Sequence, residues 1–430
     1  MTIQDAIRHH EAGRLHEAQR IYRSILEREP RDPDALHLLG VLLGQVGRYD
    51  EALARIEAAL ALDPDSPLFQ SSLAQVHTRA GRLAEAAAIL ERVVAGRPES
   101  FQALSDLGAV LQESGELERA IDAYRRAIAI NPGVAVVHFN LGTALKNQNR
   151  TREALESVER AVAMDGSQAH FRMTLAGYYL EAGDPSAALE SCRACLALEP
   201  RNLMALTFES IALARLGDEE GARRIVDLDG LIEQREMPVP RGFRSIAEFN
   251  DALAGYVLHH PTLKRDPANN ATRFGRHTDN LLDNPGGPIP ALIERIDAAV
   301  AAYLGGLPRD PGHAYLAHRP AGFRYTMWSV VMDSQGHQLP HMHPEGWVSG
   351  VYYVKLPECM RRADSEKDGW IEFGRPLAEL AGPLEPVVRT IRPREGMLVL
   401  FPSYFYHQTI PFRSSEQRIC VAFDAVPVFQ

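Results

Sequence analysis

The sequence predicts an α+β protein. An all-α superhelix of paired helices fills the first half, and a double-stranded β-helix (jelly-roll) domain with flanking helices follows. Three observations carry that expectation. Small and turn-forming residues recur every 34 positions as far as about Val226. The recurrence then stops at a proline-containing stretch. Beyond about Ala321, short alternating runs lie between Gly, Pro and Asp breaks.

The repeat comes first. Ala18, Ala52, Ala86, Ala120, Ala154, Ala188 and Ala222 are each 34 residues apart. Gly13, Gly47, Gly81, Gly115, Gly183 and Gly217 keep the same period, with Asn149 in the missing slot. Pro30, Pro64, Pro98, Pro132 and Pro200 repeat it again, Gly166 substituting once. A small Ala lets paired helices approach closely. Gly or Asn tolerates left-handed backbone at the end of a first helix, and Pro marks the exit from a second. Within a unit, "LERAIDAYRRAIAI" (117–130) sets apolar residues on one helical face. Seven units fit, and their marks resemble the tetratricopeptide repeat. The resemblance implies a solenoid whose concave surface binds a peptide or protein partner; a scaffold for self-association is the alternative. Cys192 and Cys195 spell C-x-x-C. They fall where Tyr124 and Ala127 sit two repeats earlier, which are core positions, and no second pair completes a zinc site.

The solenoid is expected over 1–232 and a linker over 233–242, stiffened by Pro238 and Pro240. The second domain is expected over 243–430. "SIAEFNDALAGYVLHH" and "PALIERIDAAVAAYL" read as helices. "FRYTMWSVVM", "VSGVYYVKL", "GWIEFG", "VVRTIRP", "GMLVLFPS" and "RICVAFDAV" read as strands. Short strands after a few helices suggest a jelly roll with helices packed outside.

Bulk properties exclude several classes. A net charge of −10 argues against non-specific nucleic-acid binding. No apolar run approaches the roughly 18 residues that span a bilayer, so no membrane partner is expected. The opening "MTIQDAIRHHEAGRLHEAQR" mixes charge and apolar residues at helical spacing, unlike a secretory signal. Four cysteines in 430 residues favour a reducing, cytoplasmic setting over a disulfide scaffold.

The chemistry concentrates in "HQLPHMHPEGWVSGVYYVKLP" (337–357). His341, His343 and Glu345 are spaced by two, which in an extended segment sends them to one face. His407 ends an apolar strand some sixty residues later, and Arg418 opens the last strand. A close His pair, a distant His and a downstream Arg suit a metal with open positions and a carboxylate clamp. His337 reads equally well as a surface histidine, and Trp347 and Tyr352 as barrel packing.

"HMHPEGWVSGVYYV", "RPREGMLVLFPSYFYHQTIPF" and "QRICVAFDAVPV", in that order, resemble the 2-oxoglutarate/Fe(II) oxygenases found behind tetratricopeptide repeats. "GHQLPH" (336–341) is also similar to the stretch before the first iron-ligand His of the aspartyl/asparaginyl β-hydroxylases. The resemblance implies an Fe(II)- and O2-dependent dioxygenase with 2-oxoglutarate as cosubstrate. His341 and His407 would be iron ligands and Arg418 would grip the far carboxylate of 2-oxoglutarate. Tyr353, Ser349 and Ser329 would sit where strand residues help to hold that cosubstrate. The common His-x-Asp/Glu pattern is departed from: counted from His341, the carboxylate slot holds His343, and counted from His343 it holds Glu345. His343 is the expected third ligand, with Glu345 the alternative. The reading is a peptide or protein hydroxylase whose repeats hold the substrate. A small-molecule oxygenase assembled through its repeats and a non-catalytic adaptor are the alternatives.

Overall fold

The structure is a computed structural model that describes residues 2–265, 271–362, 367–383 and 385–428. Its contacts form two compact units, residues 1–167 and 168–430.

The first unit holds five antiparallel helix pairs, from Ile3–Glu11 with Leu15–Arg28 to Ala135–Asn147 with Thr151–Met164. The periodic alanines explain the pairing. Ala18, Ala52, Ala86, Ala120 and Ala154 are all 0% exposed, so each second helix meets its neighbours at a side chain that needs no room. The inter-helix turns are left-handed as the period requires: φ is +81° at Gly115 and +59° at Asn149, which fills the vacant slot as expected. The fit is close, since a Cβ on Gly108 would lie 2.5 Å from the Tyr124 ring.

The second unit begins with two further pairs, Ala169–Ala182 with Pro185–Leu198 and Leu203–Arg215 with Glu219–Ile225. Cys192 and Cys195 are fully buried and unpaired there. Burial pushes the Cys195 thiol up to about 11 and raises Cys192 as well, so both stay protonated packing groups.

Ten strands follow among the described residues. They are β1 Glu233–Glu236, β2 Lys264–Arg265, β3 Thr272–His277, β4 Gly322–His341 and β5 Val348–Lys355. The rest are β6 Ile371–Phe373, β7 Arg389–Ile391, β8 Met397–Pro402, β9 His407–Thr409 and β10 Arg418–Val428. All pairings are antiparallel, in the order β1-β8-β5-β10-β4-β9-β6-β7, with β3 joining β4 and β2 joining β3. Strands β8 and β9 adjoin in the chain but are separated in the sheet by β5, β10 and β4. The sheet must therefore curl. Its two halves meet face to face, the Phe401 ring of β8 lying 4.8 Å from that of Phe373 on β6. The 20-residue β4 runs through both halves. The helix Ile246–Leu258 packs outside, where the Tyr352 hydroxyl donates to Asn250 at 2.6 Å.

Two expected boundaries move. The repeat marks end near 226, yet the division between compact units falls at Ser167/Gln168. Leu203 and Leu206 of the last pair share one core with Phe249, Trp347 and Tyr404, so these helices are joined to the sheet by apolar burial. The stretch 233–242, expected as a linker, opens with β1, whose Glu233 to Glu236 pair with Leu400 to Met397. Its "EQRE" sequence lacks apolar residues because it is an edge strand with one side chain in two turned to solvent. No helix among the described residues is long and apolar enough to cross a membrane.

Candidate metal centre and anion pocket

The long β4 ends at His341, directly opposite His407 of β9 in the antiparallel register. The chain then turns, and His343 comes back toward the same point. Ring centroids are 4.2 Å apart for His341 and His407, and 5.2 Å from each of these to His343. One nitrogen from each of the three lies within 4.8 Å of the others.

Each ring is fixed by an oxygen at Nδ1. The acceptors are Leu339 O for His341 (2.7 Å), Phe405 O for His407 (3.1 Å) and Asp424 Oδ2 for His343 (2.7 Å). A carbonyl or carboxylate oxygen can only accept, so Nδ1 carries a proton in all three rings, and a ring in its neutral form then has its lone pair on Nε2. The His343 Nε2 atom is buried without a hydrogen-bond partner. Burial, with His343 adding to it, pushes His341 down to about 4, and burial beside the other two imidazoles takes His407 well below its ordinary value. Neutral imidazoles with converging lone pairs are the form that ligates a divalent transition metal, so the donor set fits such an ion.

Asp424 was not among the residues singled out from sequence. It lies on β10 opposite Ser349 of β5 and is 9% exposed. The Ser349 hydroxyl donates to Asp424 Oδ1 at 2.5 Å and, having one proton, accepts from Ser403 Oγ at 2.8 Å. The run Ser403–Ser349–Asp424–His343 thus orients the third histidine. The available signal was one acidic residue inside the apolar run "RICVAFDAV". Trp328 lies flat against His343 at 5.5 Å, with His277 stacked on it as well, at 5.9 Å.

Arg418, at the start of β10, is 1% exposed. Its Nη1 has only sulfur neighbours, Cys420 Sγ at 3.4 Å and Met332 Sδ at 3.5 Å, and its Nε has no partner. The guanidinium carbon sits 5.2 Å from the Tyr353 ring centroid. A dry cation held by thiol, thioether and ring is poorly compensated, and such a group calls for an anion. The three histidines and Arg418 line one cavity of about 420 Å³, mouth included. Val351, Ile371 and Phe401 give it apolar walls, and Gln338 and Thr409 add polar groups.

The other candidates fall elsewhere. Glu345 stands exposed in the turn before β5, outside the histidine cluster. His337 bonds Gln335 O and is not part of the cluster. Ser329 faces away from the cavity that its neighbours Trp328 and Val330 line, and its backbone and hydroxyl meet Thr278. Ser349 lines the cavity, but its hydroxyl is engaged by Asp424. Tyr353 is buried beneath Arg418 with its hydroxyl unpartnered, and burial raises its phenol.

Residues 326–424 match the family described as "Putative 2OG-Fe(II) oxygenase". Tetratricopeptide-repeat families match residues 9–76, 45–111, 99–167 and 139–202. Tetratricopeptide-repeat matches are thus followed by a match to a putative 2OG-Fe(II) oxygenase domain, as the motifs led one to expect. No curated protein matches it. Among solved structures, the YrrB tetratricopeptide protein is 22% identical, with 43% of this chain and 95% of that one covered and a TM-score of 0.36. The tetratricopeptide protein TTC0263 from Thermus thermophilus is 26% identical over 42% and 99%, with a TM-score of 0.35. MamA from Desulfovibrio magneticus is 20% identical over 42% and 94%, also at 0.35.

Proposed function

We propose that the chain is a 2-oxoglutarate- and Fe(II)-dependent dioxygenase that hydroxylates a peptide or protein substrate held by its repeats. One observation carries the reading: a single small cavity presents three inward imidazole lone pairs and a buried guanidinium without a carboxylate partner. His341, His343 and His407 would hold the iron through Nε2, and Arg418 would receive the C5 carboxylate of 2-oxoglutarate. Once bound, iron and cosubstrate supply the activation of O2 and the hydrogen abstraction, with 2-oxoglutarate decarboxylated to succinate. The protein's own residues orient and exclude. Asp424 holds His343, while Phe401, Ile371 and Val351 keep water from the reacting groups. We read the curled sheet as a jelly roll, and the four unpaired cysteines as suiting a cytoplasmic setting.

A peptide or protein substrate is favoured because the repeats raise the effective concentration of a tethered chain at the cavity. The test is succinate formation from 2-oxoglutarate by the full chain with Fe(II). Turnover is expected, and its loss in His341→Ala and His407→Ala. No succinate at any iron loading would leave the adaptor reading. Deleting residues 1–167 should then remove peptide capture; unchanged product formation after that deletion would point to a metabolite substrate.

A further inference from the structure

The last two helix pairs do more than end the solenoid, because both ligand-bearing segments rest on them. Met342 lies between His341 and His343, and it packs against the cluster that contains Ala176, Leu180, Phe208 and Ile211. Tyr406, the neighbour of His407, is a buried member of that same cluster. One side chain touches both segments. The Thr207 hydroxyl is 2.9 Å from Tyr404 O and 3.5 Å from Met342 Sδ, and it is also 3.0 Å from Leu203 O in its own helix. Thr207 is 2% exposed, so no water competes for these contacts. Tyr404 is tied a second time, its hydroxyl donating to Ile225 O at 2.6 Å.

The geometry assigns Thr207 a positioning role: from the helix Leu203–Arg215 it braces the His341–His343 turn against the segment leading to His407, setting the spacing of the metal ligands. This rests on the proposed metal-binding reading of the three histidines. The physical reason is rigidity. A ligand set drawn from the last residue of one strand, the turn after it and a three-residue strand has few backbone bonds of its own, and a metal site is only as well formed as the shell behind it. The donor to Tyr404 O sits on a helix whose other face is in the core, so displacement of either ligand segment must disturb both. The helices at 169–225 are then part of the metal centre, and capture of a substrate chain falls to other surfaces of the repeats.

The test uses the full chain without iron or 2-oxoglutarate and follows Co(II) binding by calorimetry and visible absorption. Thr207→Val keeps shape and removes the hydroxyl. It is expected to weaken Co(II) on the order of tenfold, the low end for groups acting through a ligand, and to alter the ligand-field bands. Thr207→Ser restores the donor and is expected to recover both signals, which a role in packing alone would not produce. Met342→Leu, which conserves volume, is expected to shift the bands with little loss of melting temperature. Wild-type affinity and spectrum in Thr207→Val would overturn the bracing role while leaving the metal site intact. Absence of Co(II) binding in the unaltered chain would overturn the metal reading itself, and the brace with it.

Discussion

Replacing Asp424 by Asn tests whether His343, the proposed third ligand, depends on its carboxylate partner. In the structure Asp424 accepts from His343 Nδ1 at 2.7 Å on one oxygen and from Ser349 at 2.5 Å on the other. Asn keeps the shape and supplies only one oxygen. If that oxygen faces His343, the tautomer survives and only the charge is lost. If the amide N–H faces it, Nδ1 must accept, the proton moves to Nε2, and the ligating lone pair disappears. Partners of this kind contribute about 10–100-fold in metal affinity, equivalent to about 1.4–2.7 kcal/mol. Ser349 can turn to accept from the amide, so melting temperature should change little. Asp424→Ala instead strands two buried donors and should lower stability by about 1–3 kcal/mol as well. Calorimetric titration with Mn(II) or Co(II), beside thermal unfolding of the metal-free chain, separates the two variants. Wild-type metal affinity in Asp424→Asn, where His343→Ala binds poorly, would refute the reasoning.

Arg418→Met should weaken 2-oxoglutarate binding by at least about tenfold, since each charge-assisted bond contributes about 1.5–3 kcal/mol. The same change should leave the melting temperature of the ligand-free chain equal or higher, because a dry charge without a carboxylate is removed. Mn(II) should tighten 2-oxoglutarate binding, and 2-oxoglutarate should tighten Mn(II) by the same factor, as titrations in either order will show. In the repeats, Gly108→Ala should cost about 1–3 kcal/mol by forcing a methyl to 2.5 Å from Tyr124. Gly96→Ala, with open space around it, should stabilise the chain by up to about 1 kcal/mol, and denaturant midpoints read both.

What the sequence disclosed, and what it hid, follows from range. The 34-residue period was legible because each mark acts within its own helix pair: Ala120 is buried, Gly115 is left-handed, and Asn149 takes the same conformation where Gly is missing. His341, His407 and Arg418 were legible as chemistry in a recognisable order. The choice between His343 and Glu345 stayed open in the sequence because the spacing-of-two rule holds only in a strand. The strand β4 stops at His341. His343 reaches the centre through a turn, in which Gly346 N donates to His343 O at 3.1 Å, and Glu345 is left at the surface. Asp424 was invisible because its role depends on which strand pairs with β10, bringing it to a serine 75 positions earlier. Ser329 was misplaced by one position, and one position in a strand exchanges cavity for the opposite face.

The position of that one carboxylate also explains how a cavity can dispense with an acidic ligand. With the three imidazoles in the neutral form that ligates a metal, they sum with Arg418 and Asp424 to zero formal charge. A divalent cation alone adds two positive charges to a buried space, and a dianion alone adds two negative ones. Both together restore balance, which is the physical basis for their mutual tightening. A carboxylate directly in the ligand slot would give the same sum but would quench the cation at contact. Asp424 instead stands behind the His343 imidazole and accepts its Nδ1 proton, so on the proposed reading the slot is filled by a ring nitrogen while the negative charge remains one ring away. A histidine at position 343 is compatible with the proposed metal site for that reason. The negative charge is held on β10, fixed there by Ser349 and, through it, Ser403.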